Sequence, residues 1–199
     1  SDKDSLVVVL NDCLVDDAEV MKDLAILIKT HPTLKNLVLG ALHKNKPAAN
    51  FDNYSYIIEA LALNKTLKNV ACIRLLTSTI NIKQESVFKM ANAISCCKLS
   101  SLAFINFNFE GEGKNKILQA IAKNSYLNTV GLQLLNTNSE EEVDSIIKYF
   151  TSSKKLKLLL IGAKLEKESY EKVEKKNEAL FKSNDKFEGL LVGFSNAGK

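Results

Sequence analysis

Apolar residues recur along this chain at two interleaved spacings. The first is a pair two residues apart: Leu37/Leu39, Val70/Cys72, Leu102/Phe104, Val130/Leu132, Leu159/Ile161 and Leu190/Val192. That spacing puts both side chains on one face of a β-strand. Upstream of most pairs lies a second pair four residues apart: Leu24/Ile28, Ile57/Leu61, Ile117/Ile121 and Ile146/Phe150. That spacing is one face of an α-helix. Lys89 and Asn177 interrupt the helical rule in the third and last copies. In the third, Met90 and Ile94, displaced by one, supply an apolar face instead. Each unit is therefore predicted to be one short strand plus one helix, both turned toward the same layer.

The units share a phrase. L-K-N-L-V-L starts at Leu34, L-K-N-V-A-C at Leu67, L-S-S-L-A-F at Leu99, L-N-T-V-G-L at Leu127 and L-K-L-L-L-I at Leu156, with a degenerate F-E-G-L-L-V at Phe187. Self-similarity at a period of 28 to 33 residues predicts a solenoid of stacked units, an architecture that presents surfaces more often than pockets. Helix starts agree with this division. Ser139-Glu140-Glu141-Glu142 is a capping-box sequence with acids where the helix dipole favours them. Asp16-Asp17 does similar work for the first helix. Gly111 and Gly113 punctuate a strand-to-helix turn, and Pro32 follows a helix that it cannot interrupt.

Two copies carry a fuller pattern. Gly113-Lys-Asn-Lys-Ile117-Leu-Gln-Ala-Ile121-Ala-Lys-Asn124-Ser-Tyr-Leu127 is one, and Ile57-Ile-Glu-Ala-Leu61-Ala-Leu-Asn64-Lys-Thr-Leu67 is the other. With the opening Leu6-Val-Val8-Val-Leu-Asn11-Asp-Cys13, they resemble leucine-rich repeats of the long ribonuclease-inhibitor type, also seen in NOD-like receptors. The resemblance covers essentially the whole chain. It implies an α/β horseshoe with parallel strands on the concave face and helices on the convex face. It also implies a thiol-rich cytosolic protein that binds a protein partner inside the horseshoe. The chain departs from the type where an Asn normally closes the strand turn. Only Asn11 is present there; the later copies have Leu42, Leu75, Phe107, Leu135, Lys164 and Ser195. Insertions fall around Ala41 to Phe51 and Leu76 to Gln84.

Composition narrows the reading. The 199 residues suit one repeat domain of about six strand-helix units plus a terminal strand, with seven strands and six helices expected. The absence of polar caps at either end suggests a fragment of a longer chain. A hydrophobic content of 46% is ample for a core, yet no run approaches the ~20 apolar residues of a membrane helix, so no membrane partner is expected. Cys13, Cys72, Cys96 and Cys97 follow no zinc or disulfide spacing, which points to reduced thiols in the cytoplasm. All basic residues but Arg74 are lysine, and Asn is frequent, as in an AT-rich genome. A eukaryote-like repeat on that background suggests a bacterial effector, in which case the compartment is a host cytoplasm.

Chemistry-bearing motifs are few. Gly193-Phe-Ser-Asn-Ala-Gly198-Lys199 matches the phosphate-cradling G-x-x-x-x-G-K, and the strand-like residues before it resemble those of Obg-type GTPases. A P-loop also needs a Ser or Thr and a following helix. Phe187 to Gly193 is moreover in phase with Leu156 to Gly162, so a terminal repeat strand is the preferred reading. A nucleotide-binding protein truncated at its phosphate loop is the alternative. His31 and His43 have no partner at ligand spacing, so no metal, cofactor or catalytic residue is assigned and no enzyme is expected. Lys154 to Lys186 carries ten lysines against six acids, but the signs balance in the helix from Leu165 to Lys182. A net charge of +4 and a single arginine argue against nucleic acid.

One surface stands out. Residues between the inward strand positions (Val7, Val38, Ala71, Ala103, Gly131, Leu160, Leu191) form an outward column. Those just after them (Val9, Gly40, Ile73, Ile105, Gln133, Gly162, Gly193) form a second, and neither contains a charge. An uncharged strip of this length marks an interaction site. The expected partner-binding residues are Val38, Ala71, Ile73, Ala103, Ile105, Gln133 and Leu160, with Arg74 and Asn106 at the rim.

Overall fold

The structure is a computed structural model, described for residues 4–42, 51–74, 81–109, 112–134, 139–151, 157–163, 165–182 and 189–194. Seven strands follow one another in sequence order: β1 (Ser5–Asn11), β2 (Asn36–Leu42), β3 (Asn69–Arg74), β5 (Ser101–Phe109), β6 (Thr129–Leu134), β7 (Leu158–Ala163) and β8 (Gly189–Phe194). Every pairing between them is parallel. An eighth strand, β4 (Asn81–Ile82), pairs with the far end of β5. The helices are α1 (Asp12–Asp16), α2 (Ala18–Thr30), α3 (Tyr54–Leu63), α4 (Gln84–Cys96), α5 (Gly113–Lys123), α6 (Glu140–Thr151) and α7 (Lys167–Lys182). Among the described residues this is one strand and one helix more than the repeat predicts. Asn11 ends β1 by accepting from Leu14 N–H at 3.0 Å, and the short α1 follows. Residues 81–82, inside an expected insertion, form β4.

The register is the one the repeat demands. Leu37 pairs with Val70, then Leu102, Val130, Leu159 and Leu190; Leu39 pairs with Cys72, then Phe104, Leu132, Ile161 and Val192. Wherever their side chains are described, these two columns are buried. They meet Ile28, Ile57 and Leu61, Met90 and Ile94, Ile117 and Ile121, and Ile146 and Phe150 in one core. Consecutive helices α2 to α7 touch one another in order, so the helices form one layer over one face of the sheet. Met90 and Ile94 do carry the helix of the third copy, α4, while Lys89 stays exposed.

Asn177 shows how the last helix tolerates a polar core position. Its buried amide donates to Val173 O at 2.7 Å and to Asp144 Oδ1 at 3.1 Å. Burial pushes the Asp144 carboxyl up, but hydrogen bonds from Lys176 and Asn177 outweigh it and hold it below its usual value.

Helix starts follow the predicted chemistry. Asp17 Oδ1 accepts from Glu19 and Val20 N–H at 3.0 and 3.1 Å, and Ser139 Oγ accepts from Glu142 N–H at 3.2 Å. Gly113 begins α5 where a Cβ would lie 2.9 Å from Val87 Cγ1, so glycine permits α5 to approach α4. Gly111 lies outside the described residues.

Candidate sheet-face site

Where they are described, the side chains that alternate with the core columns point away from the helices. The first outward column runs Val7, Val38, Ala71, Ala103, Gly131, Leu160, Leu191 in register, and the second runs Val9, Gly40, Ile73, Ile105, Gln133, Gly162, Gly193. Of the expected contact residues, Val38, Ala71, Ile73, Ala103, Ile105 and Gln133 are therefore brought together on three or more adjacent strands. All six are half-buried, not fully open. Strands lie ~4.8 Å apart, so each side chain screens its neighbours. Among the described side chains of the strip, those of β1 escape: Val7 is 68% and Val9 48% exposed.

The strip has a definite texture. A Cβ on Gly162 would fall 2.6 Å from Gln133 Cγ, so the Gln133 side chain lies across Gly162 and partly covers the second column. Gly40 and Gly131 are buried. The second column is thus aliphatic on β3 and β5, at Ile73 and Ile105, and becomes amide and glycine on β6 and β7, at Gln133 and Gly162. At the strand starts it is bordered by a polar row. Asn36 Nδ2 donates to Ser5 Oγ at 3.0 Å, and Asn69 Nδ2 donates to Asn36 Oδ1 at 2.7 Å.

Three expected contact residues have side chains outside the described residues. The Leu160 backbone pairs with Gly131 and Leu191 in the first column, and Arg74 ends β3 opposite Ala41. Asn106 sits at a register shift between Ile105 and Phe107. That shift corrects one sequence expectation. Phe107, at the position of the turn asparagine, is not a loop residue but is fully buried among Tyr54, Phe104 and Phe109. The bulge adds a residue, so core-facing positions on β5 run 102, 104, then 107 and 109. A period-2 reading cannot foresee this.

The sequence also undervalued its asparagines. Asn64 is buried, with Nδ2 donating to Ile28 O at 2.6 Å and Oδ1 accepting from Thr66 and Leu67 N–H, both at 2.7 Å. Asn124 repeats this. Nδ2 donates to Ile94 O and Cys97 O at 2.7 and 2.8 Å, and Oδ1 accepts from Tyr126 and Leu127 N–H at 2.7 and 2.9 Å. Each side chain thus closes its own helix-to-strand turn and ties it to the previous unit's helix end. Backbone groups at these turns that would otherwise be buried unpaired are satisfied by the amide.

The thiols divide by burial. Cys72 and Cys97 are buried and Cys96 is exposed; all three are free. Burial pushes the Cys72 thiol up to about 12 and raises Cys97 as well. The Cys13 side chain lies outside the described residues. Thiol labelling of the native protein at neutral pH, followed by peptide mapping, should therefore mark Cys96 but not Cys72 or Cys97 until denaturant is added. Rapid native labelling of Cys72 would contradict its place in the core.

Other candidate chemistry stays dispersed. His31 Nδ1 accepts from Thr33 N–H at 3.4 Å at the end of α2, and His43 lies outside the described residues. Among the described residues, no group of three or more His, Cys, Asp or Glu could hold a metal ion, and no helix is long and apolar enough to cross a membrane. Gly193 and Phe194 belong to β8, in register with Gly162 and Ala163 of β7; residues 195–199 lie outside the described residues. No protein-family model and no curated protein sequence matches this chain.

Proposed function

We propose that this chain is a non-enzymatic protein-binding module of leucine-rich-repeat type that receives its partner on the helix-free face of the sheet. The observation that carries the reading is the pair of in-register columns without a charge, centred on Val38, Ala71, Ile73, Ala103 and Ile105. Apolar centres bordered by polar rows are where interfaces concentrate their energy. The Ser5–Asn36–Asn69 row supplies such a border.

Spacing supports the horseshoe form. Strands sit ~4.8 Å apart and packed helices 8–10 Å apart. A single helix layer over one sheet face relieves that mismatch by bending with the helices outside. The helix-free face is then concave, and its curvature would favour a convex protein surface.

The test is Ile73→Glu with Ile105→Glu. A pull-down with mass spectrometry identifies the partner, and its affinity is then compared with the double variant alongside thermal unfolding. Both side chains point away from the core, so the variant should stay folded, with a modestly lower midpoint because the two glutamates are register partners on adjacent strands. Affinity should fall by roughly tenfold or more, about 1.4 kcal/mol. A folded double variant with unchanged affinity would move the site to the helix face or the loops.

A further inference from the structure

Charge on this molecule is segregated by its topology. Helix ends and strand starts share one rim of the layer, as the backbone there makes plain. Lys35 O accepts from Lys68 and Asn69 N–H, Lys68 O from Ser100 and Ser101, and Ser100 O from Asn128 and Thr129, at 2.7–3.1 Å. On this rim Lys29, Lys65, Lys68, Lys98 and Lys123 are exposed, and among the described residues none of the five forms an ion pair. Among the described residues at the strand starts of this rim, the acid is Asp4, paired with Lys35 at 3.0 Å.

Several lysines nearer the helix starts are ion-paired, although among the described residues the exposed Lys116 in the first turn of α5 is not. Lys22 pairs with Glu19, Lys83 with Asp52, Lys114 with Glu142, and Lys172 with Glu140. The helix dipole favours a base in the last helical turn, which accounts for Lys29 and Lys123. It does not account for Lys65, Lys68 and Lys98, which lie past the helix ends.

The same rim carries several of the exposed large apolar side chains. Leu27 (54%) is in the last turn of α2, Leu63 (57%) ends α3, and Tyr126 (49%) sits in the turn after α5. Unpaired lysines interleaved with protruding Leu and Tyr, contributed by successive units along one edge, form a surface for a flat anionic partner. Lysine suits a diffuse anionic field, whereas nucleic-acid and acidic-peptide sites favour arginine for bidentate contacts. The single arginine is at the opposite end of β3. Leu and Tyr at the level of the charges add the apolar insertion that interfacial binding uses.

Against the sequence expectation of no membrane partner, which rested on spanning helices alone, we infer that this rim docks peripherally on an anionic lipid bilayer, with the lysines over the headgroups and Leu27, Leu63 and Tyr126 entering the interface. The helix-free sheet face would then stand to the side of the membrane, open to a protein.

The test is vesicle co-sedimentation of the full chain with phosphatidylcholine alone and with an equimolar phosphatidylcholine–phosphatidylserine mixture. Sedimentation is expected with the mixture only, weakening as added salt shortens the screening length. Lys65→Glu/Lys68→Glu/Lys98→Glu should reduce binding by roughly tenfold or more while thermal unfolding is unchanged, since all three are exposed. Leu63→Ser/Tyr126→Ser should also weaken it, and Lys175→Glu, an exposed lysine on α7, should not. Failure of the unaltered protein to prefer the anionic vesicles would overturn the proposal, as would full binding by the folded triple variant. Full binding by the Leu63/Tyr126 variant, with release by soluble polyglutamate, would assign the rim to an acidic polypeptide instead.

Discussion

Phe107→Ala is expected to lower stability by ~3–5 kcal/mol. The ring is fully buried. It meets Phe104 edge-on at 5.4 Å and Tyr54 edge-on at 5.8 Å, and it stacks on Phe109 at 6.1 Å. Truncation removes the transfer term, leaves a cavity among rings that cannot easily collapse, and abolishes aromatic pairs worth ~0.5–1.5 kcal/mol each. Domains of this size hold roughly 5–15 kcal/mol in total, so a large share is lost. Denaturant unfolding should show a lower midpoint with an unchanged slope. A loss under ~1 kcal/mol would place Phe107 at the surface, as at a strand turn.

Asn124→Ala should cost roughly 3 kcal/mol or more, although it removes little volume. The side chain satisfies four backbone groups around Ile94, Cys97, Tyr126 and Leu127. A buried polar group left unpaired costs ~1–3 kcal/mol, with partial relief where water enters. Asn124→Asp sharpens the test. The aspartate keeps an acceptor for Tyr126 and Leu127 but turns a negative oxygen toward two carbonyls. Only the protonated acid can donate to them, so its folded-state pKa should rise above the usual ~4. A raised carboxyl pKa gives stability present below the unfolded value and lost as pH rises through the folded value. The aspartate variant should therefore approach the parent near pH 4 and fall away toward neutrality. A pH-independent deficit would mean that the Nδ2 bonds contribute nothing. Asn64, with the same geometry one pair of units earlier, should behave alike.

Much of the fold was legible because two periods alternate along the chain. Leu37/Leu39 and their counterparts fix strand faces, and Ile57/Leu61 and their counterparts fix helix faces. A one-residue slip would expose a whole column, so the register follows from burial alone. The same alternation identified the outward columns as soon as the inward ones were known. Their uncharged character is a property of residue types and needed no coordinates. The site's openness was less legible. Val7 and Val38 share a column, yet only Val7 is wide open, because exposure depends on whether a further strand lies alongside.

The sequence by itself determined the units, their order, the parallel register and the separation of a helix-covered face from a helix-free one. These are local periodicities multiplied by stacking, and each strand repeats the decision of its neighbour. Only the tertiary structure decided what breaks the repeat. The bulge at Asn106 turns Phe107 inward because Tyr54, Phe104 and Phe109 offer it a pocket. Asn64 and Asn124 bridge neighbouring units because backbone groups far apart in sequence converge on one amide. Lysines scattered over the sequence collect on one rim because helices α2, α3, α4 and α5 each end where the next strand of the main sheet begins. All three arise from contacts between units, which a pattern read within one unit does not contain.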